Sequence, residues 1–330
     1  GEARGGAVVV LDIETGETLV LASAPRFEPK WFAAADAPEL AQVLADERRP
    51  LFDRAIKMAI PAGSVFKTLS AVAMLEAGVL HAEDTFHCQG YLREPDRQRC
   101  QIYRRFGVGH GDITLGDALA QSCNVFFFHY AAELGSGPLV QWSRRFGFGQ
   151  TSGIELPDEA AGNVPLESDA GQPSLSARAS QTQAFAIGQG TLTVTPLQVA
   201  RMMAAIANGG KLLRPTIYAA QHNSDTSSKP SDTGQQIELH AQTLSAIREG
   251  LVRVVSDPSG TAYATARLPS LKIAGKTGTA ENGTNLDHGW FAGYAPADAP
   301  KLAFVVVLEH SADGAAAAAT LARRLIEQLD

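Results

Sequence analysis

The chain has 330 residues, 45% hydrophobic and 19% charged, which is the balance of a folded globular protein able to bury one large core or two modest ones. A formal net charge of −7 and a pI near 5.6 argue against an electrostatic grip on nucleic acid or on an anionic membrane surface. No run of about 18 apolar residues is present, the N-terminal Gly1-Glu2-Ala3-Arg4-Gly5-Gly6 is neither signal peptide nor anchor, and three cysteines are too few for a disulfide scaffold.

In chain order, residues 6–13 and 18–23 read as two β-branched strands around Glu14-Thr15-Gly16-Glu17, a hairpin. A Pro- and Ala-punctuated stretch runs to Pro50, and Leu51-Phe52-Asp53-Arg54-Ala55-Ile56 leads into an apolar helix ending at Ala77, with Gly78 where a C-cap glycine belongs. From about Thr85 to Asn208 the pattern is helical and interrupted. Residues 112–120 have helical spacing with Thr114 as N-cap, Val125 opens a second apolar helix, and Thr195-Pro196 opens a third that Asn208-Gly209-Gly210 closes. Residues 166–183, rich in Ser, Gln and Ala, read as loop, and the polar 221–236 as a loop or hinge. The last third returns to three antiparallel strands, over 271–279, 288–294 and 301–309, before an Ala-rich helix over Ala315 to Gln328. Strands at both ends with helices between predict one sheet built from both termini and an inserted helical subdomain.

Three polar clusters stand out. Ser64 and Lys67 lie three residues apart on one face of a helix start, so that the ammonium can reach the hydroxyl; a serine beside an amine is a nucleophile beside a base. Alone, an S-x-x-K is common and an ordinary buried helix accounts for it. Ser122-Cys123-Asn124 and Lys276-Thr277-Gly278 follow it in order, each once, a set known from serine β-lactamases and penicillin-binding proteins. The chemistry is coherent without a family. Lys67, with an ordinary pKa of about 10.4, is a base only if desolvation and a second cation favour its neutral form, and Lys276 can supply that cation. Ser122 can relay a proton to a departing amine, and the Asn124 amide can hold Lys67 and a substrate amide. Gly278 clears the strand edge for a substrate backbone, while Thr277, Thr279 and Lys276 offer donors to a carboxylate. The Ser64 N–H, at a helix start, and the Thr279 N–H could form an oxyanion hole, as the resemblance described next implies.

Arg54-Ala55 ahead of Pro61-Ala62-Gly63-Ser64, the run Ser122 to Phe127, Ile187-Gly188-Gln189-Gly190 with Thr195-Pro196-Leu197-Gln198, Ala274 to Ala280, and Gly289-Trp290-Phe291-Ala292-Gly293-Tyr294 together resemble the transpeptidase domain of class B penicillin-binding proteins, most of all the elongation-type subgroup, over nearly the whole chain. The resemblance implies a β-lactamase/transpeptidase-like α/β (α+β) fold. A five-stranded antiparallel sheet flanked by helices would form an α/β subdomain of about 1–63 and 245–330, beside an all-helical subdomain of about 64–244. It implies a peptidoglycan D,D-transpeptidase whose catalytic residues are Ser64, Lys67, Ser122, Asn124 and Lys276 and whose substrate-binding residues are Thr277, Gly278 and Thr279, with no metal and no cofactor. Such domains attack the terminal D-Ala-D-Ala of a stem peptide, release D-Ala and pass the acyl group to a neighbouring amine; β-lactam antibiotics acylate the same serine. An N-terminal anchor and pedestal outside this chain, a site at the extracytoplasmic (periplasmic) face of the bacterial inner membrane, and a SEDS-type membrane glycosyltransferase as partner are implied as well.

Two features depart from that pattern. Asp53 stands where Asn usually precedes Arg54-Ala55, which would alter a hydrogen bond beneath the site, and 166–183 lacks the Trp usual ahead of Gly-Gln-Gly, which bears on acceptor recognition. Among rivals, a phosphate-binding loop would need glycine at Ser270. A serine β-lactamase would share the acylation machinery, but the Glu-x-x-Leu-Asn signature of class A is absent, and class D usually has Val where this chain has Asn124. A non-catalytic β-lactam sensor is the binding alternative. For Cys88 and Cys100 a disulfide is the favoured expectation, then free thiols, then a zinc site using His87 or His110, whose spacing fits no standard ligand pattern. Cys123 is expected to pack in the core, and His288 to be a structural turn histidine, with a place in the cleft lining as the alternative.

Overall fold

The structure, a computed structural model, describes residues 4–33, 38–165, 175–219, 234–281, 286–311 and 313–329. The N-terminal hairpin forms as predicted: β1 (Gly5–Asp12) and β2 (Thr18–Ala24) pair antiparallel from Gly6 opposite Ala24. With β3 (Ala274–Ala280), β4 (His288–Ala295) and β5 (Leu302–Glu309) they make one five-stranded antiparallel sheet in the order β2-β1-β5-β4-β3. Val9 lies opposite Val305, so the sheet is built from both ends of the chain. β3 is left at an edge.

The helices that position the site are α1 (Lys67–Glu76), entered through a 3-10 turn at Gly63–Phe66, α2 (Leu115–Ala120), α3 (Asn124–Leu134), α4 (Leu175–Ala186), α5 (Pro196–Ala207), α6 (Ala241–Ser256) and α7 (Gly314–Leu329). Their ends follow the sequence signals. Asp117 Oδ2 accepts from the Thr114 N–H and hydroxyl at the start of α2. Thr195 and Gln198 exchange backbone-to-side-chain bonds of 3.0 and 3.2 Å at the start of α5. Gly78, at φ +68°, ends α1 in the left-handed region.

The unbroken run Phe304-Val305-Val306-Val307 reflects a sheet covered on both faces. Phe304 and Val306 join Val10, Phe291 and the Ala318, Ala322 and Ile326 side of α7 in one core. Val305 and Val307 join Val9, Trp290 and α5 in the larger core, which continues into the helical region. α5 is buried along its length, and its polar groups are paired inside: Gln198 Nε2 donates to the Gln150 and Ala161 carbonyls, and Arg201 Nε to that of Leu213.

Two loop expectations are corrected. Within 166–183, residues 175–183 are helical as part of α4, while 166–174 lie outside the described residues. Ala, Gln and Ser tolerate a helix well enough once tertiary contacts bury Gln183 and Phe185. Of 221–236, Gly234–Gln236 is a strand paired with Lys211–Leu213, and 221–233 lie outside the described residues. At position 53, the Asp Oδ1 accepts from the Ala55 N–H and the Ser23 hydroxyl, both at 3.0 Å, two bonds an Asn Oδ1 accepts equally well.

Gly289 on β4 faces the first residue of α7 so closely that an added Cβ would lie 1.9 Å from the Gly314 carbonyl carbon. Gly289→Ala is expected to cost roughly 2–4 kcal/mol by displacing α7, read as a drop in thermal midpoint, whereas Asp53→Asn should stay within about 0.5 kcal/mol of the parent.

Candidate active site

The serine sits on a turn that only glycine permits. Gly63 has φ +55°, a Cβ there would come within 2.3 Å of the Thr279 carbonyl oxygen, and its N–H donates to the Gly188 carbonyl at 2.9 Å. Gly278 closes the contact from β3: a Cβ would meet the Ala62 carbonyl and a Val65 methyl, each at 2.8 Å. The sequence reading has Gly278 clearing space for a substrate backbone; the serine turn itself takes that space. Ser64 opens into a cleft of about 930 Å³, whose lining includes Ser122, Asn124, Thr277, Gly278 and Thr279.

One helical turn on, Lys67 is fully buried. Its ammonium donates to the Ser122 carbonyl at 2.7 Å, to Asn124 Oδ1 at 2.6 Å and to Ser122 Oγ at 3.2 Å. The expected bond to Ser64 is not made, and among the described residues the Ser64 hydroxyl has no partner. Burial draws the Lys67 pKa down to about 8, while Cys123 and Cys100 pull the other way.

The acceptors for Lys67 come from a sharp corner. α2 ends at Gln121, Ser122 turns the chain at φ +55°, and Cys123 caps α3 by accepting the Phe126 N–H on Sγ at 3.4 Å. This reversal sends Ser122 and Asn124 toward Lys67 and the Cys123 sulfur toward Cys88 and Cys100. Asn124 Nδ2 donates to the Arg99 carbonyl at 3.2 Å, which fixes the amide so that Oδ1 faces the ammonium.

Lys276 is equally buried and donates to the Thr277 carbonyl at 3.2 Å. Burial first, and the Lys67 charge second, hold it well below its ordinary range. The sequence reading made Lys276 responsible for a neutral Lys67. Burial lowers Lys67, burial and the Lys67 charge lower Lys276, and two like charges this close titrate as a pair. Thr277 Oγ1 lies 2.6 Å from Thr261 Oγ1, and Gln189 Nε2 donates to the Thr279 carbonyl at 3.2 Å. Sequence reasoning missed Arg99, Thr261 and Gln189. Gln189 lies in a quoted motif, but nothing local to Arg99 or Thr261 announces its role. His288 lies buried at the start of β4 and its Nδ1 accepts the His310 N–H at 3.4 Å, a structural position that also lines the cleft.

Residues 6–327 match the family model of the penicillin binding protein transpeptidase domain. The chain belongs to this family. The curated peptidoglycan D,D-transpeptidase MrdA of Acinetobacter baumannii is 31% identical over 96% of this chain and 49% of its own length. Penicillin-binding protein 2 of Helicobacter pylori, solved in a complex with MreC, has a TM-score of 0.84 at 27% identity, covering 98% of this chain and 60% of that one. Penicillin-binding protein A of M. tuberculosis, solved as an imipenem acyl-enzyme, has a TM-score of 0.77 at 28% identity over 98% and 73%. The chain spans about half the length of the first curated relatives it matches. The expected α/β fold with its five-stranded antiparallel sheet is that of this family.

On the far side of the Ser122 corner, Cys88, Cys100, Cys123 and His110 bring four potential ligand atoms within 4.8 Å of one another. The favoured Cys88–Cys100 disulfide is not formed: the sulfurs lie 3.7 Å apart, against the roughly 2.05 Å of a bond. Cys123, expected only to fill core, lies 3.5 Å from each of them, and His110 Nδ1 lies 3.4 Å from Cys88 Sγ. Zinc–sulfur bonds of about 2.3 Å give tetrahedral edges of about 3.8 Å, so these four are arranged to hold one Zn²⁺ in a closed site. His87 is not among them; its ring pairs with Asp112 at 2.6 Å on the exposed side. The purified chain is expected to carry close to one zinc per polypeptide, and Cys88→Ser or His110→Ala to release it with a fall in thermal midpoint. Elemental analysis alongside melting with a chelator checks this; a zinc-free protein indifferent to chelator would contradict it.

Proposed function

We propose that this chain is the catalytic part of a peptidoglycan D,D-transpeptidase that works through an acyl-Ser64 intermediate. The observation that carries the reading is the buried Lys67 amine. Ser122 and Asn124, which line the cleft, grip it from there, with Ser64 one helical turn before it and β3 residues Thr277 to Thr279 in the same lining. The Ser64 hydroxyl is free to turn toward Lys67, and such contacts commonly tighten only when substrate is bound. Family membership, the curated relatives and the acyl-enzyme of a relative support the same reading.

In this mechanism Ser64 Oγ attacks the carbonyl carbon of the penultimate D-Ala while its proton passes to neutral Lys67 Nζ. The oxyanion is held by the Ser64 and Thr279 N–H groups, which the Gly63 turn brings to one corner. Hydroxyls of Thr277 and Thr279 and the Lys276 amine receive the terminal carboxylate, the outer edge of β3 beside Gly278 receives the peptide backbone, and Asn124 steadies the substrate amide. As the C–N bond breaks, the proton moves from Lys67 through the Ser122 hydroxyl to the departing D-Ala amine. An acceptor amine then attacks the ester, loses its proton along the same route and restores Ser64. The division into an α/β subdomain and a helical subdomain, the anchor, the periplasmic site and a SEDS-type glycosyltransferase partner belong to the same proposal. Solved relatives in a complex with MreC and in a peptidoglycan synthase complex support a partner in general terms; among the described residues no helix is long and apolar enough to cross a membrane.

Fluorescent penicillin tests the reading. The parent chain is expected to form a stable adduct and Ser64→Ala none; an adduct on Ser64→Ala, or none on the parent, refutes it, and rapid turnover of the drug would mark a hydrolase instead. The rate of acylation should also report Lys67. Only the neutral amine accepts the serine proton, so with a pKa of about 8 the rate rises about tenfold per pH unit below that value and levels off above it. Lys67→Arg, which stays protonated, should abolish acylation at every pH.

A further inference from the structure

The cleft has a charged wall that this mechanism does not use. Helix Gln101–Phe106 and the residue before Cys100 bring Arg99, Arg104 and Arg105 to its lining, in a chain whose net charge is −7. Arg104 Nη1 reaches across to Glu281 Oε1 at 3.1 Å, and Glu281 is the residue that follows β3. Among the described residues the guanidinium groups of Arg99 and Arg105 have no hydrogen-bond or ion-pair partner.

The position of these cations along β3 gives them a task. β3 is an edge strand facing the cleft, where an extended peptide can lie. One end of that path is a group of hydroxyls, Thr277 against Thr261 at 2.6 Å with Ser259 beside them in the lining, suited to a terminal carboxylate. The other end is Glu281, four residues on, or about 13 Å at strand spacing. A donor whose C-terminal carboxylate sits at Thr277 and whose penultimate carbonyl faces Ser64 carries its earlier residues toward Glu281 and the arginines. The carboxylate of Glu281 already occupies a position that Arg104 can pair with. Arg99 is tied to the reacting groups, since its carbonyl orients the Asn124 amide.

Resting on the transpeptidase reading, we propose that Arg104 and Arg105, with Arg99 behind them, form an anion-reading wall that pairs with a second carboxylate of the acyl-donor stem peptide, away from its C-terminus. Donor binding then exchanges the exposed Glu281–Arg104 pair for a pair with the donor. Two carboxylates qualify by chemistry, the free α-carboxylate of a γ-linked glutamate and that of a diamino-diacid at the following residue.

The test is protection of Ser64 from fluorescent penicillin by the pentapeptide L-Ala-γ-D-Glu-diaminopimelate-D-Ala-D-Ala, compared with peptides amidated at one carboxylate, the other, or both. The free acid is expected to protect at about fivefold to tenfold lower concentration than the diamide, an advantage that shrinks as salt rises. The mono-amidated peptide that loses the advantage identifies the carboxylate read. Arg104→Gln combined with Arg105→Gln should bring the acid-to-amide ratio to one, and the paired Lys substitutions should restore part of it. Taking the ratio within each variant removes any general change in reactivity, and melting curves check the fold. Equal protection by acid and diamide, no protection by the free acid at millimolar concentration, or a preference that survives both Gln substitutions would overturn the wall. Absence of labelling on the parent chain would instead sink the transpeptidase reading, and this inference with it.

Discussion

A lysine buried to the last atom is the constraint around which the helical part of this protein is arranged. Taking an ammonium out of water costs several kcal/mol unless its donors are met, and all three Lys67 acceptors come from one corner, Ser122 and Asn124. That corner is itself costly, since Ser122 holds a left-handed backbone, a conformation worth on the order of 1–3 kcal/mol of strain in a residue with a side chain. It holds because it is determined from several sides. Phe126 and Phe127 lock α3 into the core, Arg99 fixes the Asn124 amide, and Cys123 is gripped among two other sulfurs and a histidine.

The sheet contributes the other half of the site through absence of side chains. Gly63 and Gly278 let the serine turn and β3 approach until backbone touches backbone, so the nucleophile and the strand edge are held as one unit. Gly289 against Gly314 does the same for β4 and α7 on the opposite face. These contacts transmit the position of a sheet built from both chain ends directly to Ser64.

What the sequence made legible is what local physics decides. The hairpin, the N-cap at Thr114, the helix start at Thr195-Pro196, the glycine at 78 and the three polar motifs could be read from neighbours a few residues apart. What it hid depends on contacts between distant segments. Gly278 looked like a concession to substrate because its true neighbours, Ala62 and Val65, lie more than two hundred positions away in the chain. The cysteines at 88, 100 and 123 and His110 have no periodic spacing because a hairpin, a helix start and the Ser122 corner each bring them in separately. α4 has little amphipathic contrast, and its packing against distant segments, where Ser70 of α1 donates to the Ala186 carbonyl and Gln183 to that of Phe128 on α3, is not visible in its own sequence.

The two lysines form a pair of buried cations whose proton balance the sequence could name but not divide. Two buried ammonium groups that repel each other titrate as a pair, and the proton stays on the one with more acceptors. In the free protein Lys67 has Ser122 and Asn124 around it, whereas among the described residues Lys276 donates to the Thr277 carbonyl alone, and burial with the Lys67 charge holds Lys276 well below its ordinary range. Under the transpeptidase reading, a substrate carboxylate arriving at Thr277 supplies the acceptor that Lys276 lacks. The proton balance then moves toward Lys276, and the Lys67 amine is left neutral at the moment Ser64 has a carbonyl to attack. The second cation thus acts through the substrate, which couples recognition of the donor's C-terminus to activation of the nucleophile.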